Sequence, residues 1–151
     1  MKGDNRLSRM LHVLIHLGQQ DTPTTSELMA QMLNTNPVVV RRTMAGLREK
    51  GFVRADRGHG GGWTLTRPLA DISLLDVYRA IDEPAIFALG MAEDTPRCLV
   101  EQAVNAALEG ELRSARELLL KRFEGITLAT LTKDFEKRAR KHAHSRAHCP
   151  A

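Results

Sequence analysis

The sequence predicts a mostly α chain carrying one small β-hairpin, and three observations carry that prediction. Apolar residues recur at spacings of three and four along much of the 151 residues. Aromatic residues make up only 4%, so a core must be built from Leu, Val, Ile, Met and Ala, a mix that suits helices better than sheets. The helical rhythm breaks where two short β-prone runs flank Arg57-Gly58-His59-Gly60-Gly61-Gly62, the composition of a hairpin tip.

In chain order, Leu7, Met10, Leu11, Leu14 and Leu17 give one apolar face to a helix from Arg6 to Gly18, with Gly18 as the expected stop. After a turn at Asp21-Thr22-Pro23, Thr25 or Ser26 can cap a short helix carrying Leu28, Met29, Met32 and Leu33. Asn34-Thr35 is a break of only a few residues. Asn36 then caps a third helix, Pro37 opens it without forfeiting a hydrogen bond, and Gly51 ends it after about Lys50. Two short helices across so tight a turn form a helix-turn-helix, and the hairpin Phe52–Asp56 with Trp63–Thr66 follows it as a wing. Ser73 and Asp76 then form a capping-box start for a helix through about Asp82.

Residues 83–94 look less regular. Thr95-Pro96 opens the longest predicted helix, where Val100, Ala103, Val104, Ala107, Leu108, Leu112, Ala115, Leu119 and Phe123 form an apolar stripe that Gly110 weakens locally. A final short helix capped by Thr127 includes Leu128, Leu131 and Phe135, and the basic tail from Glu136 reads as disordered. The predicted division is a winged helix-turn-helix domain over 1–82, linker and dimerisation helices over 83–135, and the tail over 136–151.

Charge separates these parts. Residues 1–68 hold ten Lys/Arg against five Asp/Glu, residues 69–134 hold seven against twelve, and residues 135–151 hold five against one. Contact with a polyanion is therefore assigned to the N-terminal part. No apolar run reaches membrane-spanning length and no signal segment opens the chain, so a cytoplasmic location is expected. Two cysteines, Cys98 and Cys149, make no disulfide framework. The histidines form no catalytic set with an acid partner; His12 and His16 share a helix face without a third ligand. An enzyme is not expected.

In a helix-turn-helix the second helix enters the major groove of double-stranded DNA with its N-terminal residues towards the bases. Val40, Met44 and Leu47, at i, i+4 and i+7, are expected to face the core. Asn36, Val38, Val39, Arg41 and Arg42 are left on or beside the exposed face, where arginines can read guanine or hold phosphate and valines can touch a thymine methyl. The competing reading packs the valines under the wing. Arg57, His59 and Gly60 are the wing candidates for minor-groove and phosphate contact, against the alternative of a merely flexible tip. Ser26 at the start of the second helix joins the candidate contacts. The long stripe exceeds what a small winged domain needs, which implies a homodimer; its first part is expected to pack locally and the remainder to meet the partner.

Asn36-Pro37-Val38-Val39-Val40-Arg41-Arg42, Leu47-Arg48-Glu49-Lys50-Gly51-Phe52-Val53, Arg57 to Trp63, Ile72 to Asp82 and Ile126 to Leu131 together resemble the bacterial regulator family of IscR, NsrR and CymR, the Rrf family of type two. The resemblance covers residues 1 to about 135. It implies homodimeric winged-helix repressors, or dual regulators, on palindromic promoters, with the long helix building the dimer. Several members hold an iron–sulfur cluster through three closely spaced cysteines before the long helix. Here only Cys98 lies in that region, so the chain is similar to the cluster-less YwnA-like branch and no cofactor is carried over. With Thr95 as cap and Pro96 first in the helix, Cys98 falls in the first turn, where free N–H groups lower a thiol's pKa; the sensor reading stands beside that of a buried, inert cysteine. A small-molecule effector is the other option, and a winged helix used only for protein binding is the rival function. His142, His144, His148 and Cys149 in the tail are expected to bind metal only opportunistically, and Lys137, Arg138, Arg140 and Lys141 to add nonspecific phosphate attraction.

Overall fold

The structure, a computed structural model, describes residues 4–90 and 97–142. Helix α1 (Arg6–Gly18) lays Met10, Val13, Leu14 and Leu17 on the core. Helix α2 (Ser26–Met32) is capped by Thr25, whose side chain accepts from the Leu28 amide at 3.2 Å. Helix α3 (Pro37–Glu49) is capped by Asn36, which accepts from the Val38 amide at 2.8 Å, and it buries Val40, Met44 and Leu47 as their spacing predicts.

The end of α3 is fixed by backbone geometry. Gly51 adopts φ +71°, the Phe52 amide bonds to the Leu47 carbonyl at 3.0 Å and the Gly51 amide to the Arg48 carbonyl at 2.9 Å. This is a Schellman closure, and the two side chains that accompany it, Leu47 and Phe52, are both buried. The chain then enters an antiparallel hairpin, β1 (Val53–Asp56) paired with β2 (Gly62–Leu65), in the register Val53↔Leu65 to Asp56↔Gly62.

A long-range pairing extends the hairpin. Thr24 bridges Trp63, with amide-to-carbonyl bonds of 3.0 and 2.8 Å in the two directions, so the turn before α2 runs as a short third edge. A short 3₁₀ helix (Leu69–Asp71) leads to α4 (Leu74–Ala80), which carries the full capping box of Ser73 and Asp76. Helix α5 (Leu99–Glu124) and helix α6 (Leu128–His142) complete the described fold. Leu128 is fully buried and Leu131 packs on the same core, so the core of residues 10–81 draws on α6 and does not close at residue 82.

Helix α1 ends at Gly18 as expected, and that glycine also allows close packing, because a Cβ there would fall inside 3.0 Å of the Leu69 side chain. Three expectations are corrected. Thr95 and Pro96 lie outside the described residues, and the residue in the cap position of α5 is Cys98. The two ends of α5 also exchange roles. Its C-terminal end packs locally, with Phe123 edge-on to Tyr78 at 6.2 Å, while Leu99, Val100, Val104 and Leu108 near its start are exposed. The cause is the junction after it: Ser73 bridges Thr127, and Leu74 and Leu128 exchange backbone bonds of 2.9 Å with Ile126 and Ile72, which holds that end against α4. Finally, the stretch expected to be disordered from Glu136 continues as α6 to His142, carrying good helix formers and an Asp134–Arg138 pair at i, i+4. His144, His148 and Cys149 lie outside the described residues.

Candidate nucleic-acid interface

Burying Val40, Met44 and Leu47 turns the opposite side of α3 outward. Val38 is 63% exposed and Val39 48%, so neither packs beneath the wing. Two open β-branched residues at a helix start form an apolar ledge of the kind a thymine methyl covers. Asn36 is exposed but divided in use: its Oδ1 caps the helix, leaving the amide NH₂ for other partners.

Arg41 and Arg42 flank the ledge. Arg41 pairs with Glu27 at 2.9 Å, both side chains being more than half exposed, a contact worth about 0–1 kcal/mol that a phosphate can displace. Arg42 is exposed and makes no ion pair among the described residues. Across the module, the wing loop holds Arg57, His59 and Gly60 in the open. Its tip is a turn in which the Gly61 amide bonds to the Gly58 carbonyl at 3.0 Å, with Gly58 and Gly60 at φ +93° and +75°. Glycine takes that backbone path at little cost where a residue with a Cβ would be strained, and the absence of side chains leaves the loop thin.

Ser26 departs from its expected place. It is only 8% exposed, and its hydroxyl accepts a 2.9 Å hydrogen bond from the Trp63 indole. The residue therefore ties the wing's second strand to the start of α2 and is removed from the candidate DNA contacts. Sequence reading missed Trp63 as the partner because the pair is 37 residues apart. It also missed Arg6, which reaches from the start of α1 to the Ile81 carbonyl at 3.3 Å beside α3.

Cys98 is exposed, which removes the reading of a buried, inert thiol. It forms no capping hydrogen bond, yet the amides of Glu101 and then Val100 face its sulfur and hold the thiol below the ordinary range.

The profile of the Rrf2 family, described as an iron-dependent transcriptional regulator, matches residues 4–134. The chain belongs to the Rrf2 family. This Rrf2 protein is 35% identical over 116 residues to YwnA of Bacillus subtilis strain 168, assigned as an HTH-type transcriptional regulator, covering 77% of this chain and 86% of YwnA. Two solved structures share its fold. CymR, the global cysteine regulator of B. subtilis, superposes with a TM-score of 0.64 at 22% identity, covering 88% of this chain and 97% of CymR. IscR of T. potens gives 0.64 at 21%, covering 98% and 93%. The Rrf2 protein is thus a winged-helix, DNA-binding transcriptional regulator.

The family's iron raises the question of ligands. The sequence contains two cysteines, one short of a three-thiolate cluster within a chain. Among the described residues no three His, Cys, Asp or Glu side chains converge as a metal site. The residues do not fit the cluster. Among those residues, too, no helix is long and apolar enough to cross a membrane.

Proposed function

We propose that this Rrf2 regulator works in the cytoplasm as a homodimeric repressor reading a palindromic operator. Helix α3 lies in the major groove through Asn36, Val38, Val39, Arg41 and Arg42, and the wing reaches the minor groove through Arg57, His59 and Gly60. The observation that carries the reading is the exposed Val38-Val39 ledge between arginines, a costly surface unless a base edge covers it. The apolar start of α5 supports the dimer, since Leu99, Val100, Val104 and Leu108 are exposed among the described residues. The protein has no catalytic role in this reading. Release follows a signal, either oxidation or alkylation of the exposed Cys98 thiol or the binding of a small ligand.

Selection of genomic fragments by the purified protein tests the reading, followed by binding to the selected duplex across salt concentrations. The expected result is a palindromic motif whose affinity falls steeply with salt. Arg42→Ala and Arg57→Ala each cost about 1–3 kcal/mol, roughly 5- to 160-fold. Absence of any enriched sequence at moderate salt overturns it and favours a protein-binding module.

A further inference from the structure

Helix α6 is longer than the core requires. Its buried contribution is made in its first turns, where Leu128 is fully buried and Leu131 packs against the core. Phe135, next along the same side, is already 44% exposed, and the helix still runs on to His142. At 3.6 residues per turn, Leu128, Leu131 and Phe135 share one side of α6, while Lys133, Lys137, Arg140 and Lys141 fall on the side opposite. All four of these cations are exposed, and none makes an ion pair among the described residues. The Asp134 carboxylate, off to one side, is taken by Arg138 at 3.2 Å, and the exposed Glu136 borders the stripe.

The stripe works against the helix that carries it. Lys133 with Lys137, and Lys137 with Lys141, are like charges at i, i+4, an arrangement that destabilises a helix. The helix dipole favours cations in the last turn, which accounts for Arg140 and Lys141 but not for Lys133 and Lys137. A polyanion laid along this side removes the repulsion. The four charges span about 12 Å of helix axis, a length over which duplex DNA presents about seven phosphates. A bilayer is the other extended anionic surface, but a helix that lies on one sinks its apolar face among the lipids. Here that face is spent on the protein's own core at Leu128 and Leu131.

We infer that the outward side of α6 is a second contact with duplex DNA, separate from α3 and the wing, in which Lys133, Lys137, Arg140 and Lys141 hold phosphates without reading sequence. Contacts of this kind position and retain a protein on DNA but carry no base information. The inference goes beyond the proposed operator contacts and needs only that the chain binds duplex DNA.

The test measures binding of the full chain to a random-sequence duplex of about 40 base pairs across salt concentrations, where each phosphate held contributes about 0.9 to the slope of log affinity against log salt. A chain carrying Lys133→Gln, Lys137→Gln, Arg140→Gln and Lys141→Gln should lose about two to four from that slope and about ten-fold or more in affinity at moderate salt. Glutamine is as good a helix former as lysine, so helix content and thermal unfolding should hold. Lys137→Gln alone should lower the slope by about one, and it decides the matter if the quadruple chain melts differently. Replacing the three lysines by arginine should leave the slope as it is. The sequence motif selected from genomic fragments should be the same for the parent and the glutamine chain. An unchanged slope in both glutamine variants overturns the contact, and so does a changed motif. Binding of the parent to phosphatidylserine vesicles with no effect of the glutamines on DNA overturns it in favour of a membrane surface. If the parent selects no motif at all, the proposed operator reading has failed, and the random-duplex slopes still decide the role of α6.

Discussion

Gly46 lies in the interior of α3, where a glycine costs about 0.8–1.0 kcal/mol relative to alanine. Helix propensity alone therefore makes Gly46→Ala stabilising by that amount. Packing opposes it: an added Cβ would fall well inside 3.0 Å of the Ala80 carbonyl oxygen, which is backbone at the end of α4 and has no rotamer to yield. That end of α4 is itself pinned, because the Glu83 amide bonds to the Tyr78 carbonyl at 3.2 Å. Forcing α3 and α4 apart belongs to the overpacking range of about 1–3 kcal/mol, in its upper half since the obstacle is rigid. The net expectation is a loss of about 1–2 kcal/mol, a fall in Tm of roughly 3–8 °C. Gly110→Ala provides the matched comparison, being also in a helix interior but with nothing within 4 Å of its Cβ position. It should gain up to about 1 kcal/mol. Thermal unfolding of the two variants, with operator affinity measured beside it, reads both signs. A Gly46→Ala protein that melts higher than the parent refutes the account of α3 seated on α4.

Three further outcomes follow from contacts described above. Ser26→Ala leaves the buried Trp63 indole N–H without its acceptor and should cost about 1–3 kcal/mol in urea unfolding, whereas a neutral result would mean the hydroxyl is dispensable to the wing. Alkylation of Cys98 by iodoacetamide should rise with pH through a midpoint below that of an ordinary cysteine, because the Glu101 and Val100 amides favour the thiolate; a midpoint at or above the ordinary value contradicts their role. Val104→Glu places a charge on the uncovered start of α5 and should convert a dimer to a monomer in sedimentation while leaving the monomer's melting largely unchanged; an intact dimer moves the interface elsewhere.

What could be read from the sequence was what local physics decides. Asn36 with Pro37, the stop at Gly51, the Ser73/Asp76 box and the Val40-Met44-Leu47 stripe each need only a few neighbouring residues, and each appears as predicted. The exposed ledge at Val38 and Val39 followed from the same periodicity. Features set by distant partners were not legible. Ser26 reads as a cap or a DNA contact until Trp63 is known to stand over it, and nothing local to Gly18 announces that Leu69 packs against it. Which end of α5 meets the domain depends on Ser73 and Thr127, more than fifty residues apart in the chain. Helix periodicity carries no information about such a choice.

The closure between Ile72 and Leu128 has a consequence for how the protein is made. The proposed DNA-reading surface lies within the first sixty or so residues, but the hydrophobic centre beneath it includes Leu128, with Leu131 packed against it. During synthesis at about 5–20 residues per second, the helix-turn-helix and wing wait some seconds for the segment that seals them. Over that interval an apolar hollow stays open beside α1. A nascent chain stalled before α6 thus presents a finished-looking reading head on an unfinished interior, and translation of the last described helix sets the moment at which regulator becomes available.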